Sequence, residues 1–88
     1  MKIRMLNSKE EIDRVNNEEF VHLSFRPSSV DLLSIIKQCP ELQMIQIPSS
    51  YMKTISADVS QLMKMNGIEL LEGELRGSGI DKYKEVDN

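Results

Sequence analysis

The sequence predicts a small two-layer α/β domain: a four-stranded parallel sheet in β-α-β-α-β-α-β order, with helices mainly on one face and strands in the order 1-2-3-4. Three observations predict it. Short apolar-alternating stretches are separated by segments of helical periodicity, and that succession implies a parallel sheet with right-handed crossovers. The stretches keep polar residues at alternate positions, whereas parallel strands covered on both faces read as continuous apolar runs. Finally, Phe20-x-x-Leu23-x-Phe25, Leu42-x-x-Ile45-x-Ile47 and Ile68-x-x-Leu71-x-Gly73 share one template, and Ile3-x-Met5 supplies its last two positions at the start. The alternative is a doubly wound sheet of order 2-1-3-4, in which one helix would have to cover Arg4, Ser24 and Gln46.

Each element has a local reason. Residues 2–6, "KIRML", alternate and break at Asn7, after which Ser8-Lys9-Glu10-Glu11 has the spacing of a capping box. A short helix with Ile12 and Val15 inward should follow and stop at Asn16-Asn17, because Asn tolerates the left-handed backbone conformation. In residues 19–25, "EFVHLSF", Val21, Leu23 and Phe25 alternate with Phe20, His22 and Ser24, the pattern of a strand with one apolar face. Ser28 or Ser29 then caps a helix whose apolar face is Leu32, Leu33, Ile35, Ile36 and Cys39 and which Pro40 ends.

Residues 42–47, "LQMIQI", form the third strand, and Pro48 closes it. Beyond it Ile55, Val59, Leu62 and Met63 recur at i, i+4, i+7 and i+8, and Asn66-Gly67 is a common helix stop. Ser56 is a second cap within this segment, so a short turn over 49–54 precedes the main helix. "IELLEGEL", residues 68–75, is the fourth strand. The domain is therefore expected over residues 1–76, with residues 77–88 as a loop and flexible C-terminal tail.

Aligning Met5 with Phe25, Phe25 with Ile47 and Ile47 with Gly73 offsets the template copies by 20, 22 and 26 residues, a leucine-rich-repeat-like spacing. This alignment places Arg4, Ser24, Gln46 and Glu72 in one polar row across the sheet, with Lys2, His22, Met44 and Leu70 in the next. A face of that kind would leave Phe20, Met44 and Leu70 exposed beside His22 and Gln46, with two unpaired strand edges. A homodimer through the polar face or an edge strand is the expected cover.

Composition narrows the function classes. The chain has 88 residues, a net charge of −3, four aromatic side chains (two Phe and two Tyr) and no Trp. Nucleic acid and anionic membranes are poor partners for it, since both rely on a concentrated positive field, and single-strand binding also needs stacking surfaces. No signal-peptide stretch or 18-residue apolar run is present, so the expected location is cytoplasmic. Cys39, the single cysteine, reads as a small buried side chain.

Site chemistry is sparse. One His and one Cys on different elements supply no metal centre, and nothing indicates a cofactor. His22 reads as a surface polar residue on a half-exposed strand face, no nucleophile-elbow motif is present, and no catalytic residue is assigned. Gly77-Ser78-Gly79 lacks the strand-helix context of a phosphate-binding loop.

The chain does build one junction twice, at Pro27-Ser28-Ser29 and Pro48-Ser49-Ser50. Structurally, proline ends a strand and serine caps the next helix. Functionally, two helix N-termini would lie side by side at the carboxyl ends of neighbouring strands, where open α/β sheets place ligands and helix ends attract anions. Arg26, Ser28, Ser29, Ser49, Ser50, Tyr51, Lys53 and Arg76 would form that site, beside the polar-face residues His22, Ser24, Gln46 and Glu72.

The stretch "VHLSFRPSSVDLLSIIKQCPELQMIQIPSSYMKTIS" together with "GIELLEGEL" resembles a family of short archaeal proteins, found mainly in methanogens, whose function is uncharacterised. The likeness is carried by Phe25-Arg26-Pro27-Ser28, Cys39-Pro40, Ile45 through Tyr51, Lys53-Thr54-Ile55-Ser56 and Gly67 through Gly73. It departs at Glu74-Leu75-Arg76-Gly77-Ser78-Gly79, where the family pattern is more aromatic and basic. The expected role is non-catalytic binding of a small anionic ligand or a partner protein. A small enzyme using the same sheet edge and a transcription-related accessory protein are the alternatives.

Overall fold

The computed structural model describes residues 2–74 and 83–85. Their order is β1 (Lys2–Leu6), a 3-10 helix (Lys9–Arg14), β2 (Phe20–Leu23), α1 (Ser29–Gln38), β3 (Met44–Ile47), α2 (Ser49–Met52), α3 (Ala57–Met65), β4 (Glu69–Glu72) and β5 (Tyr83–Glu85). Strands β1 to β4 are parallel and adjacent in the sequential order 1-2-3-4, so the doubly wound alternative falls. A fifth strand extends them: β5 pairs antiparallel with β1 on the edge opposite β4. Apart from Tyr83–Glu85, the loop and tail expected over 77–88 lie outside the described residues, as does Arg76.

The helices pack on one face. Leu6, Val21, Leu23, Ile45 and Ile47 project into a core shared with Ile12, Val15, Leu32, Ile35, Val59 and Met63, while Tyr51, Met52 and Ile55 pack at its margin. Two residues assigned to the apolar helix faces stay largely outside it: Leu33 is 42% and Leu62 37% exposed. Apolar residues on the flank of a helix need not be buried, because the stripe facing a sheet is only about 100° wide.

Chain direction changes where the sequence allows it. Asn17 takes a left-handed conformation, φ 52°, after the 3-10 helix. Gly67 does the same at φ 73°, past the end of α3. There the Gly67 N–H donates to the Lys64 carbonyl at 3.1 Å and the Ile68 N–H to the Met63 carbonyl at 2.8 Å, the paired bonds of a Schellman stop. Met63 and Ile68 are both buried, which adds the apolar contact typical of that stop. The capping box at Ser8 does not form; Glu11 instead accepts from the Asn7 N–H at 2.6 Å.

The strand register differs from the template alignment. Arg4 pairs with Val21, Val21 with Ile45 and Ile45 with Leu70, offsets of 17, 24 and 25 residues. The predicted row of Arg4, Ser24, Gln46 and Glu72 is therefore broken up. Arg4 and Glu72 lie level with helix-side residues, Val21 and Ile47 respectively, whereas Gln46 lies level with His22 on the other face. For Glu72 the cause is a one-residue slip of β4, an offset of 25 in place of the template's 26; for Arg4 it is β1, whose Ile3 and Met5 are buried without joining the helix-side core, so both of its faces are covered. When both faces are covered, alternation no longer reveals which one the helices occupy.

That second face is not the open surface anticipated. Ile3, Met5, His22 and Met44 are buried, Phe20 is half-buried, and Leu70 sits on the helix side, level with Ile45. At β4, Glu69 and Leu71 reach solvent. Among the described residues no helix is long and apolar enough to cross a membrane.

Candidate functional site

The two Pro-Ser-Ser junctions leave adjacent strands, β2 and β3, at their carboxyl ends. At the first, Ser28 rather than Ser29 is the N-cap of α1. Its hydroxyl accepts from the Asp31 N–H at 3.1 Å while the Asp31 carboxylate accepts from the Ser28 N–H at 2.9 Å. Lys9 Nζ lies 3.8 Å from the same carboxylate. The start of α1 thus already holds an anion of its own, and Ser29 is simply the first helical residue.

At the second junction Pro48 occupies the N-cap place and no side chain caps the four-residue α2. Ser49, Ser50 and Lys53 are exposed, and Tyr51 is half-buried against the core. The long helix α3 begins later, with Ser56 accepting from the Val59 N–H at 3.2 Å. One contact joins the junctions: the Arg26 guanidinium carbon stands 5.6 Å from the Tyr51 ring centroid, within cation–π reach.

Of the four polar-face residues, the register brings two together. His22 Nδ1 lies 3.0 Å from Gln46 Oε1, and since an amide oxygen can only accept, the ring proton sits on Nδ1. His22 is 1% exposed, so it is not the surface polar residue expected. Burial lowers its pKa below 6.5, opposed by the Gln46 hydrogen bond and by the negative charge of Glu74. Ser24 is exposed past the end of β2, its N–H donating to the Leu6 carbonyl at 2.9 Å. Glu72 pairs with Ile47 and therefore lies on the face opposite His22.

Two contributors escaped sequence reasoning. A Cβ placed on Gly73 would stand 3.0 Å from Gln46 Cδ and closer still to its amide nitrogen, so this glycine lets Gln46 lie against β4. The signal was there, because glycine inside a strand pattern marks close approach. Tyr83 is the other, held between charges: Lys2 Nζ lies 4.5 Å and Arg4 Cζ 5.3 Å from its ring centroid, and its hydroxyl donates to Glu18 at 2.7 Å. That hydrogen bond, ahead of burial, pushes the phenol pKa up. Arg4 is only 8% exposed, and its Nε is buried without a hydrogen-bond partner.

Cys39 is buried, and burial pushes its thiol pKa up, the condition of a packing residue and not of a nucleophile. Among the described residues no three His, Cys, Asp or Glu side chains are grouped as metal ligands.

Residues 2–84 match a family described as "Family of unknown function (DUF1699) N-terminal domain". Neither the curated proteins nor the solved structures gave a match to the chain.

Proposed function

We propose that this chain, which belongs to the DUF1699 N-terminal domain family, is a non-catalytic binding module that takes a small anionic ligand at the carboxyl ends of β2 and β3. The observation that carries this reading is the Arg26–Tyr51 contact, which sets a cation between the two junctions. Lys53, Ser49 and Ser50 are exposed beside Tyr51 in the chain and add a second cation and two hydroxyls. A phosphate or carboxylate group matches that set, because a guanidinium presents paired donors to such oxygens. Ser28 and Asp31 play the structural part and leave the ligand to the second junction.

An enzyme at this edge has less support. His22 is buried, hydrogen-bonded to Gln46 and on the face opposite Glu72, so those two cannot act on one substrate. A homodimer through the second sheet face has lost its motive, since Met44 and His22 there are already covered. A cytoplasmic setting and the kinship to methanogen proteins accompany the reading as proposals.

The test is an NMR titration with inorganic phosphate. Backbone amides at 49–53 and the Arg26 side chain should shift together, and Arg26→Ala should weaken the interaction several-fold while leaving the fold intact. Silent amides at both junctions, or equal binding by Arg26→Ala, would end the proposal.

A further inference from the structure

Asn66-Gly67 is the one Asn-Gly pair in the sequence. Such a pair has a chemistry of its own, because a glycine nitrogen, with no side chain beside it to hinder approach, can attack the carbonyl carbon of the preceding asparagine side chain. In that reaction the Gly67 nitrogen gives up its proton and bonds to Asn66 Cγ, the Cγ–Nδ2 bond breaks, and ammonia leaves. Water then reopens the five-membered ring at either of its carbonyls, giving aspartate or isoaspartate.

The structure keeps the reacting groups apart. Asn66 ends α3 with ψ 9°, which turns the Gly67 nitrogen away from the Asn66 Cβ. The exposed Asn66 side chain runs back along the helix, where Nδ2, the leaving nitrogen, donates to the Leu62 carbonyl at 2.8 Å. The attacking nitrogen is engaged as well, its N–H donating to the Lys64 carbonyl at 3.1 Å. Reaction therefore requires the Schellman stop to open. Little else has to move, since the stop is the end of a helix and leads into β4, which has no strand outside it among the described residues.

We infer that Asn66 is a covalent modification site, deamidated by the Gly67 nitrogen whenever the end of α3 opens, and that the folded stop sets the rate. The product cannot rebuild the stop. An aspartate there has no proton to donate to the Leu62 carbonyl, and it adds negative charge to a helix end whose carbonyls are already partly negative. Isoaspartate lengthens the main chain by a methylene, which carries the Gly67 and Ile68 N–H groups out of line with the carbonyls of Lys64 and Met63. Each conversion leaves α3 and β4 less firmly joined, independently of the Arg26–Tyr51 site at the opposite ends of the strands.

The experiment incubates the full chain beside a synthetic peptide of residues 64–69, Lys-Met-Asn-Gly-Ile-Glu, in mildly alkaline buffer, and follows each asparagine by proteolysis and mass spectrometry. Asn66 should convert before Asn7, Asn16 and Asn17, and in the chain about tenfold or more slowly than in the peptide. Ile68→Val trims the buried contact that closes the stop, so it should speed conversion of the chain about two- to tenfold, with hydrogen exchange of the amides at 67 and 68 rising in step. Asn66→Gln, whose longer side chain would have to close a larger ring, should abolish the product at this position. Conversion of the chain at the peptide's rate, first conversion at another asparagine, or a rate indifferent to Ile68→Val would overturn the inference.

Discussion

Pro27-Ser28-Ser29 and Pro48-Ser49-Ser50 carry the same three residues off the ends of neighbouring strands, yet only the first opens a full helix. The difference lies three positions beyond the first serine. Asp31 returns a hydrogen bond to the Ser28 N–H, closing a reciprocal cap, whereas the equivalent residue at the second junction is Met52, which has no oxygen to return. Burial widens the gap: α1 fully buries Leu32 and Ile35, whereas in α2 Tyr51 and Met52 are only half-buried. A helix start is thus specified by cap, reciprocal acceptor and buried face together, and a repeated tripeptide alone does not specify it.

The largest test of this contrast compares packing. Ile35→Ala should destabilise by about 2–5 kcal/mol, since it removes a fully buried side chain of α1, while Met52→Ala in half-buried α2 should cost about 1 kcal/mol. Urea unfolding of both variants measures the difference, and equal losses would show that α2 is anchored as firmly as α1. Next come the caps. Ser28→Ala and Ser56→Ala should each cost about 0.5–2 kcal/mol, and Ser29→Ala, Ser49→Ala and Ser50→Ala no more than about 0.5 kcal/mol. A large loss at Ser49 would mean that the two junctions are equivalent after all.

The smallest effect concerns the bond tying together the strands that feed the junctions. His22 on β2 is held neutral against Gln46 on β3, with a pKa lowered in the folded state. The unfolded chain therefore binds a proton more readily, and the stability gained by keeping His22 neutral is full above about pH 6.5 and lost as pH falls towards the lower folded value. Unfolding midpoints should drop between pH 7 and pH 5, and His22→Gln should flatten that slope. An unchanged slope would assign the pH dependence to other groups.

Much of this architecture was legible in the residues. Strand order, the one-sided packing, the stop at Asn66-Gly67 and the delayed cap at Ser56 each rest on a local signal, and each has its counterpart in the structure. Register was harder. Ile3 and Met5 alternate with Arg4 and Leu6, but both sets are buried, so the pattern of β1 carries no facing information. The pairing of His22 with Gln46 could not be foreseen once the template had set Ser24, and not His22, beside Gln46. Tyr83–Glu85 gives no strand signal at all, because three residues in a charged stretch become a strand only by pairing with β1. At the candidate ligand site, the residue types near the junctions could be read, but the contact between Arg26 and Tyr51 depends on how tightly α2 turns back on the core.

The pairing of Lys2 with Glu85 has a consequence for how the molecule is made. Strand β1 acquires its outer neighbour only after nearly all the rest of the described chain has been synthesised. Closing so long a span is entropically slow, so β1 to β4 should assemble around their local crossovers first. Throughout that interval the nascent protein presents the bare edge of β1 to whatever surrounds it, and the arrival of β5 is the step that ends its exposure to chance pairing.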